Sequence, residues 1–166
     1  ENRALGLGVL GWHSLLQARM LPFESIEATQ LNTEIFRNIR DKSLAASTEM
    51  AEVYGEPSIL KGYGRRNTTT MAIAPTTSSA FILGQVSQGI EPIWSNCYVK
   101  DVAKLKVTIK NPLLENLLDQ KGHNNRDVWQ SIRDNDGSVQ HLTEILDEKE
   151  RDVFKTFPEI NQMNII

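Results

Sequence analysis

A run of four hydroxyl side chains lies where a predicted strand meets a predicted helix. The run consists of Thr76, Thr77, Ser78 and Ser79. Residues 68–74 are rich in β-branched side chains and end at Pro75, which predicts a strand, and a short helix is predicted over residues 80–83. The first turn of a helix has unpaired N–H groups and a partial positive charge, and both attract phosphate. The hydroxyl run therefore suggests an anion site.

The same run also has a purely structural interpretation. Serine and threonine are favoured N-cap residues, and most such runs bind only the helix that they begin. Arg65 and Arg66 lie just upstream and could add positive charge, although a solvated loop is the interpretation that we favour for them. From the residue types alone, anion binding and helix capping both remain open.

A glycine motif at residues 6–11 matches the letters of the dinucleotide-binding fingerprint. That fingerprint works within a strand–helix–strand unit, whereas a long helix is predicted here where the second strand should stand. Glycines at this spacing also allow the backbone to pack closely against a neighbour. Close packing is the interpretation that we favour.

The turn at Asp134, Asp136 and Gly137 resembles part of a calcium loop. Counting back from the glycine places Ile132 at the first ligand position, and Thr143 falls where a bidentate glutamate is needed. A calcium ion would lack two of its ligands, so a solvated turn is predicted.

Histidine and cysteine offer no further site by spacing. His13, His123 and His141 are too far apart in sequence to suggest a zinc site, and His13 lies in an apolar helix that predicts a hydrogen-bonded core histidine. Cys97 is the only cysteine and has no nearby histidine to activate it. A buried structural thiol is the better interpretation.

The elements that must position the hydroxyl run are mostly helical. Ser25 is a plausible N-cap for a long helix over residues 26–53, in which apolar residues recur at helical spacing. The sequence therefore predicts an α/β class protein, predominantly helical with a few short strands. The other predicted elements are a helix from Leu10 that ends at Pro22, strands near residues 94–102 and 104–109, and helices near residues 113–121, 126–133 and 148–157.

Composition narrows the function classes. The chain has 166 residues and a net charge of −3, so no basic excess indicates nucleic acid or a membrane surface as a partner. No apolar run approaches the roughly 20 residues that a bilayer needs. The single cysteine fits a reducing compartment, which predicts a cytoplasmic protein.

Several blocks of the sequence together resemble the large, catalytic subunit of class I ribonucleotide reductases. The blocks are residues 3–11, 66–67, 72–79, 89–92, 137–142 and 154–160, and the resemblance covers essentially the whole chain. It implies that residues 1–166 form part of a ten-stranded α/β catalytic barrel, with no separate second domain. The first and last residues look like cuts through a longer chain, so a fragment is expected.

The resemblance also implies an activity and a binding role. The family reduces ribonucleotides to deoxyribonucleotides, the precursors of DNA, and its hydroxyl-rich loop holds the substrate diphosphate. The residues carried over are Pro75, which fixes the turn, and Thr76, Thr77, Ser78 and Ser79. The family's chemistry needs three cysteines, for a thiyl radical and a dithiol, and Cys97 matches none of their contexts. No catalytic residue is therefore assigned, and the chain alone is predicted to be inactive.

The expected partners follow from the same resemblance. They are the remainder of the large subunit, a radical-generating small subunit with a metal centre, a dithiol reductant and the ribonucleoside diphosphate substrate. No cofactor or metal is expected on this segment itself. Because a severed barrel leaves strand edges and apolar faces without neighbours, the isolated chain is also predicted to self-associate.

Two alternatives remain open at this point. One is a segment of a cobalamin-dependent, class II ribonucleotide reductase, which shares the phosphate loop. The other is a helical interaction module without a catalytic role, in which the hydroxyl run is only a helix cap.

Overall fold

The computed structural model describes residues 2–102 and 105–165. The chain divides into two compact units, of which the first comprises Glu1–Val9 and Thr29–Pro75 and the second Leu10–Ala28 and Thr76–Ile166. A single partial barrel domain over residues 1–166 stays a prediction.

Helices dominate the described part of the chain, as predicted. The α-helices are α1 (Trp12–Ala18), α2 (Ile26–Tyr54), α3 (Thr77–Ile82), α4 (Pro112–Gln120), α5 (Arg126–Asp134) and α6 (Glu148–Val153). The strands are β1 (Cys97–Val102) and β2 (Leu105–Lys110), and single 3-10 turns are Ser58–Leu60, Phe157–Glu159 and Gln162–Asn164. This confirms a predominantly helical fragment with short strands. No helix among the described residues is long and apolar enough to cross a membrane.

The strand predicted over residues 68–74 is the main error in the first unit. The segment forms one isolated parallel bridge, between Leu7 and Met71, and single hydrogen bonds such as Leu5 N to Thr69 O at 3.0 Å. β-Branched residues favour an extended backbone, but a strand also needs a continuous ladder with a neighbour. Among the described residues, that ladder is limited to this bridge.

The glycine motif packs against the same segment. A Cβ atom on Gly6 would lie 2.7 Å from the Ala72 Cβ, and one on Gly8 would collide with the Ala72 carbonyl oxygen. Both glycines are therefore needed for the close approach of two backbone segments. The packing interpretation is confirmed in place of dinucleotide binding.

A contiguous apolar core fills the second unit beneath the hairpin. It is built by side chains of α4, of α5, of the loop between α5 and α6, and of the end of α6, together with the start of β1, and most of these side chains are almost completely buried. Its members are Cys97, Leu114, Leu118, Val128, Trp129, Ile132, Val139, Leu142, Leu146, Val153 and Phe154. Burial of this apolar surface is the main stabilising contribution in the unit.

The two strands that the sequence predicts near residues 94–102 and 104–109 are present, and the structure shows that they pair antiparallel. Cys97 pairs with Lys110 and Tyr98 pairs with Ile109, which sets the register. Buried Asn96, just before β1, donates from Nδ2 to the carbonyl oxygens of Gly137 at 3.0 Å and Phe154 at 2.8 Å. The base of the hairpin is thereby tied to the loops that follow α5 and α6.

The last predicted helix ends early. α6 stops at Val153, whereas the pattern of residues 148–157 predicts a helix to Phe157. Pro158 cannot continue the helix, and Thr156 begins a new turn in which its amide and hydroxyl both donate to Glu159 Oε2, at 2.7 and 2.8 Å.

Candidate functional site

The hydroxyl run forms the first turn of α3. The helix begins at Thr77, three residues before the predicted start at Ala80, and Thr76 is its N-cap residue. The Ala80 amide donates to Thr76 O at 2.8 Å, and Ala80 itself is buried. Burial of Ala80 fixes the position of this helix, and the hydroxyl residues before it form its first turn. Most of their side chains are exposed.

Three backbone N–H groups at this start have no acceptor within the described protein. The amides of Thr77, Ser78 and Ser79 lie in the first turn, where no preceding helical carbonyl can reach them. Among the residues that the structure describes, no side chain or carbonyl accepts from them, and Thr76 makes no side-chain cap. These amides are available to an external anion.

The four hydroxyl groups fall into two pairs. Thr76 Oγ1 accepts a hydrogen bond from Gly89 N at 2.8 Å, which leaves its own proton free to donate. Thr77 Oγ1 donates to Gln88 Oε1 at 3.0 Å. Ser78 and Ser79 are exposed, and within the described part of the chain their hydroxyl groups make no hydrogen bond. Pro75 is exposed and directly precedes this turn in sequence.

A cavity of about 460 Å³ in the second unit opens beside Thr77. Lys100 and Lys110 line it together with Glu91, so the lining combines two positive charges and one negative charge with aromatic surface from Trp94. Its other lining residues are Ser14, Gln85, Val86, Ser87, Gln88, Pro92, Ile93, Ser95, Tyr98, Ile109 and Asn111. A cleft lined by charges of both signs therefore lies next to the start of α3.

The two lysines of the cavity differ in their partners. Lys110 forms an ion pair with Glu115 at 2.9 Å and lies 4.7 Å from the centre of the Trp129 ring. Lys100 Nζ lies 4.0 Å from the centre of the Phe81 ring on α3 and forms no ion pair with another described residue. Among the described lysines that line this cavity, Lys100 is therefore the one without an ion-pair partner.

His13 is a core histidine, as predicted. It is fully buried, and its Nδ1 atom accepts a hydrogen bond from Ile93 N at 3.0 Å. Burial lowers the pKa of His13 to about 4, and a hydrogen bond to the backbone of Val153 offsets part of that shift. The imidazole is neutral at physiological pH and holds the wall of the cavity at Ile93.

Cys97 is the buried structural thiol that the sequence predicts. Its residue is 4% exposed, and burial raises the pKa of the thiol, with the charges of Arg133 and Lys110 acting in the opposite direction. A buried thiol with a raised pKa carries little thiolate at neutral pH, so Cys97 has the properties of a packing residue.

The remaining candidate groups also have structural roles. Arg66 donates to the carbonyl oxygens of Tyr54 at 2.8 Å and Gly55 at 2.6 Å, and so closes the C-terminal end of α2. The calcium-like turn ends α5, since Gly137 N donates to Ile132 O at 2.8 Å with Gly137 in the left-handed region. Within residues 2–102 and 105–165, no cluster of three or more acidic, histidine or cysteine side chains could hold a metal ion.

Sequence comparison decides the family. The sequence model of the ribonucleotide reductase barrel domain matches residues 1–59 and 57–166, which together span the chain. The chain belongs to the ribonucleotide reductase barrel-domain family. The ten strands expected for a complete barrel stay a prediction.

Individual proteins similar to this chain also carry ribonucleotide reductase names. The large subunit of ribonucleoside-diphosphate reductase from Invertebrate iridescent virus 6 is 40% identical over 100% of this chain and 18% of its own length. The large subunit from Danio rerio is 31% identical over 100% of this chain and 25% of its own length. The class Id ribonucleotide reductase alpha subunit from Actinobacillus ureae is 55% identical, with a TM-score of 0.88 over 99% of this chain and 29% of that protein.

This barrel-domain segment spans less than a third of each of these ribonucleotide reductase subunits. Their names favour neither a cobalamin-dependent enzyme nor an interaction module without catalysis. The sequence blocks predicted a resemblance to a class I large subunit, and the comparisons confirm that this chain is similar to a segment of such subunits.

Sequence reasoning missed the partners of the hydroxyl run. Gln88 and Gly89 hold Thr77 and Thr76, and buried Ser87 lies beside them. The block Gly89-Ile90-Glu91-Pro92 did signal that this stretch is shared with the family, but its role is visible only once α3 and the following loop are seen together.

Proposed function

We propose that this chain is a segment of a ribonucleoside-diphosphate reductase large subunit and supplies the site that holds the substrate diphosphate. Thr76, Thr77, Ser78 and Ser79 bind the phosphate oxygens at the start of α3, and Pro75 fixes the turn before them. The observation that carries this proposal is the set of first-turn amides that the described residues leave unpaired.

The arrangement suits a diphosphate for electrostatic reasons. Successive amides at a helix start point in one direction and add to the positive end of the helix dipole. The free hydroxyl groups of Ser78 and Ser79 add donors, and the Thr76 hydroxyl retains a proton to donate because it accepts from Gly89. Lys100 in the adjoining cavity adds a full positive charge.

The proposed role is binding and orientation, while the reduction itself requires other parts of the enzyme. Removal of the ribose 2′-hydroxyl by this family's route needs a thiyl radical and a dithiol, and the sequence has the single, buried Cys97. We therefore assign the radical and redox cysteines to the remainder of the large subunit. The radical comes from a small subunit with a metal centre, and a dithiol reductant restores the cysteines. We also assign the enzyme to the cytoplasm, because a single free cysteine fits a reducing compartment.

The test compares hydroxyl losses at two helix starts in the complete enzyme. Ser78→Ala combined with Ser79→Ala removes two free donors from α3, and we expect KM for a ribonucleoside diphosphate to rise by roughly 10-fold, with kcat within about twofold. Ser58→Ala removes an exposed hydroxyl from the start of another short helical turn and serves as the control.

The outcomes separate the candidate functions. An unchanged KM in the double variant would show that the Ser78 and Ser79 hydroxyl groups do not bind the diphosphate and would favour the interaction module. Turnover without any separate radical-generating subunit would indicate the cobalamin-dependent class. Measurable reduction by this polypeptide alone would contradict the assignment of the redox cysteines to the missing part.

A further inference from the structure

The loop between α3 and β1 is attached to the start of α1. Gly11 N donates to Ser87 O at 2.9 Å, and Trp12 N donates to Gly89 O at 3.3 Å. These bonds occupy amide groups at the start of α1 with carbonyl oxygens that lie far away in sequence. The loop over residues 85–89 therefore serves as the cap of α1.

A reciprocal pair of serines strengthens this attachment. Ser87 N donates to Ser14 Oγ at 2.8 Å, and Ser14 N donates to Ser87 Oγ at 3.2 Å. The two residues are 73 positions apart, and Ser87 is only 2% exposed. Each hydroxyl accepts a hydrogen bond from the other residue's partly buried amide, so the pair fixes the position of the loop backbone.

The other side of the same loop holds the proposed phosphate site. Gly89 N donates to Thr76 Oγ1 at 2.8 Å, and Gln88 Oε1 accepts from Thr77 Oγ1 at 3.0 Å. The Gly89 bond draws the Thr76 hydroxyl away from the α3 amides, where a capping threonine would place it. A shift of the loop would release this hydroxyl to cap its own helix.

We propose that Ser14 and Ser87 are positioning residues for the substrate diphosphate. By clamping the loop onto α1, they keep Gly89 and Gln88 in place, and these in turn keep the two threonine hydroxyls off the α3 amides. The inference rests on the proposed function, because it explains how that site stays open. Neither serine touches the phosphate.

A purely stabilising pair of serines would behave differently. Loss of general stability lowers the fraction of folded enzyme, which reduces the apparent kcat and the melting temperature without changing the affinity of the molecules that remain folded. Loss of positioning raises KM for the substrate. It also weakens the binding of inorganic pyrophosphate, which has the two phosphate groups of the substrate without its nucleoside. The inhibition constant of pyrophosphate therefore reports on the site directly.

The experiment uses the complete large subunit with its small subunit and reductant. In Ser87→Ala, we expect KM for the ribonucleoside diphosphate and the inhibition constant of pyrophosphate to rise together by roughly 3- to 10-fold, with kcat within about twofold. Ser138→Ala is the matched control, because Ser138 Oγ likewise accepts from a backbone amide, that of Gln140 at 3.1 Å, and it lies outside this loop.

A second variant keeps the proposal testable if Ser87→Ala folds poorly. Gln88 is exposed, so Gln88→Ala should fold, and loss of this bond between the loop and α3 is expected to loosen the site and raise the pyrophosphate constant by roughly 2- to 3-fold. Thr76→Val is the reference for the site itself and should raise the same constant.

Each outcome is decisive. If Thr76→Val raises the pyrophosphate constant while Ser87→Ala and Gln88→Ala leave it unchanged, the positioning role is wrong and the phosphate site remains. If all three variants leave it unchanged, the proposed function itself fails. A fall in kcat and melting temperature without any change in the pyrophosphate constant would assign the serines a stabilising role only and overturn the inference.

Discussion

The starts of α5 and α3 use their N-cap side chains in opposite directions. At α5, Asn125 Oδ1 turns back and accepts a hydrogen bond from Val128 N at 3.0 Å. At α3, Thr76 Oγ1 turns away and accepts from Gly89 N at 2.8 Å. One side chain closes its own helix, and the other leaves it open.

The helices beside the core follow the α5 pattern. Asn111 accepts from Leu113 N at 3.1 Å at the start of α4, and Asp147 and Glu150 form a capping box at the start of α6. Since capping stabilises a helix by about 1 kcal/mol, an open start is a local loss of stability. The comparison teaches that the residue type at an N-cap does not reveal its role, whereas the direction of its side chain does.

The largest expected effect comes from placing a negative charge at the open start. Ser78→Asp should stabilise α3 through the helix dipole, yet repel the diphosphate and weaken its binding by roughly 100- to 1000-fold. Calorimetric titration of a ribonucleoside diphosphate into the complete large subunit, together with its melting temperature, measures both changes. Ser58→Asp is the control, and equal losses in the two variants would remove the distinction between the helix starts.

The second effect concerns α1, whose start is closed by a remote loop and whose His13 accepts a hydrogen bond from Ile93 N. The folded-state pKa of His13 is about 4, below the unfolded value of 6.5, so between these pH values the unfolded chain binds a proton that the folded chain excludes. Stability is therefore lost as pH falls from 6.5 to 4, by roughly 3 kcal/mol at most. Denaturant unfolding should show the advantage of wild type over His13→Gln shrinking across this window, and a constant difference would contradict the burial argument.

The smallest expected effect comes from removing the N-cap side chain of α5. Asn125→Ala should lower the free energy of unfolding by about 1 kcal/mol and leave diphosphate affinity unchanged, because this cap serves only its own helix. Asn38→Ala, at an exposed position inside α2, is the control and should stabilise slightly. A loss of affinity in Asn125→Ala would show that the closed starts also influence the site.

Local signals explain which parts of the fold the sequence could predict. Ser25 does cap the long helix, since its Oγ accepts from Ala28 N at 3.1 Å, and the helical spacing of apolar residues places α2 within a residue of its observed end. The strand over residues 68–74 was wrong because a strand depends on partners that its own residues cannot encode. The start of α3 lies at Thr77 and not at the predicted Ala80, and burial of Ala80 in the folded protein is not visible in the sequence.

The candidate site was predicted only in its residue types. A hydroxyl run before a helix is equally compatible with capping, and the direction of the Thr76 side chain depends on the Gly89 amide, which lies 13 positions away. The Ser14–Ser87 pair is separated by 73 positions, and isolated serines have no sequence signature that announces such a contact. Long-range hydrogen bonds of this kind are set by the fold as a whole.

The close fit of Ala72 against two glycines restricts how this region can change. A Cβ atom at position 6 would meet the Ala72 Cβ, and one at position 8 would meet the Ala72 carbonyl oxygen, so a side chain at either position would push the two backbone segments apart. Positions 6 and 8 should accordingly tolerate little besides glycine. Evolutionary change at these two positions is thus limited for as long as the facing backbone keeps its course.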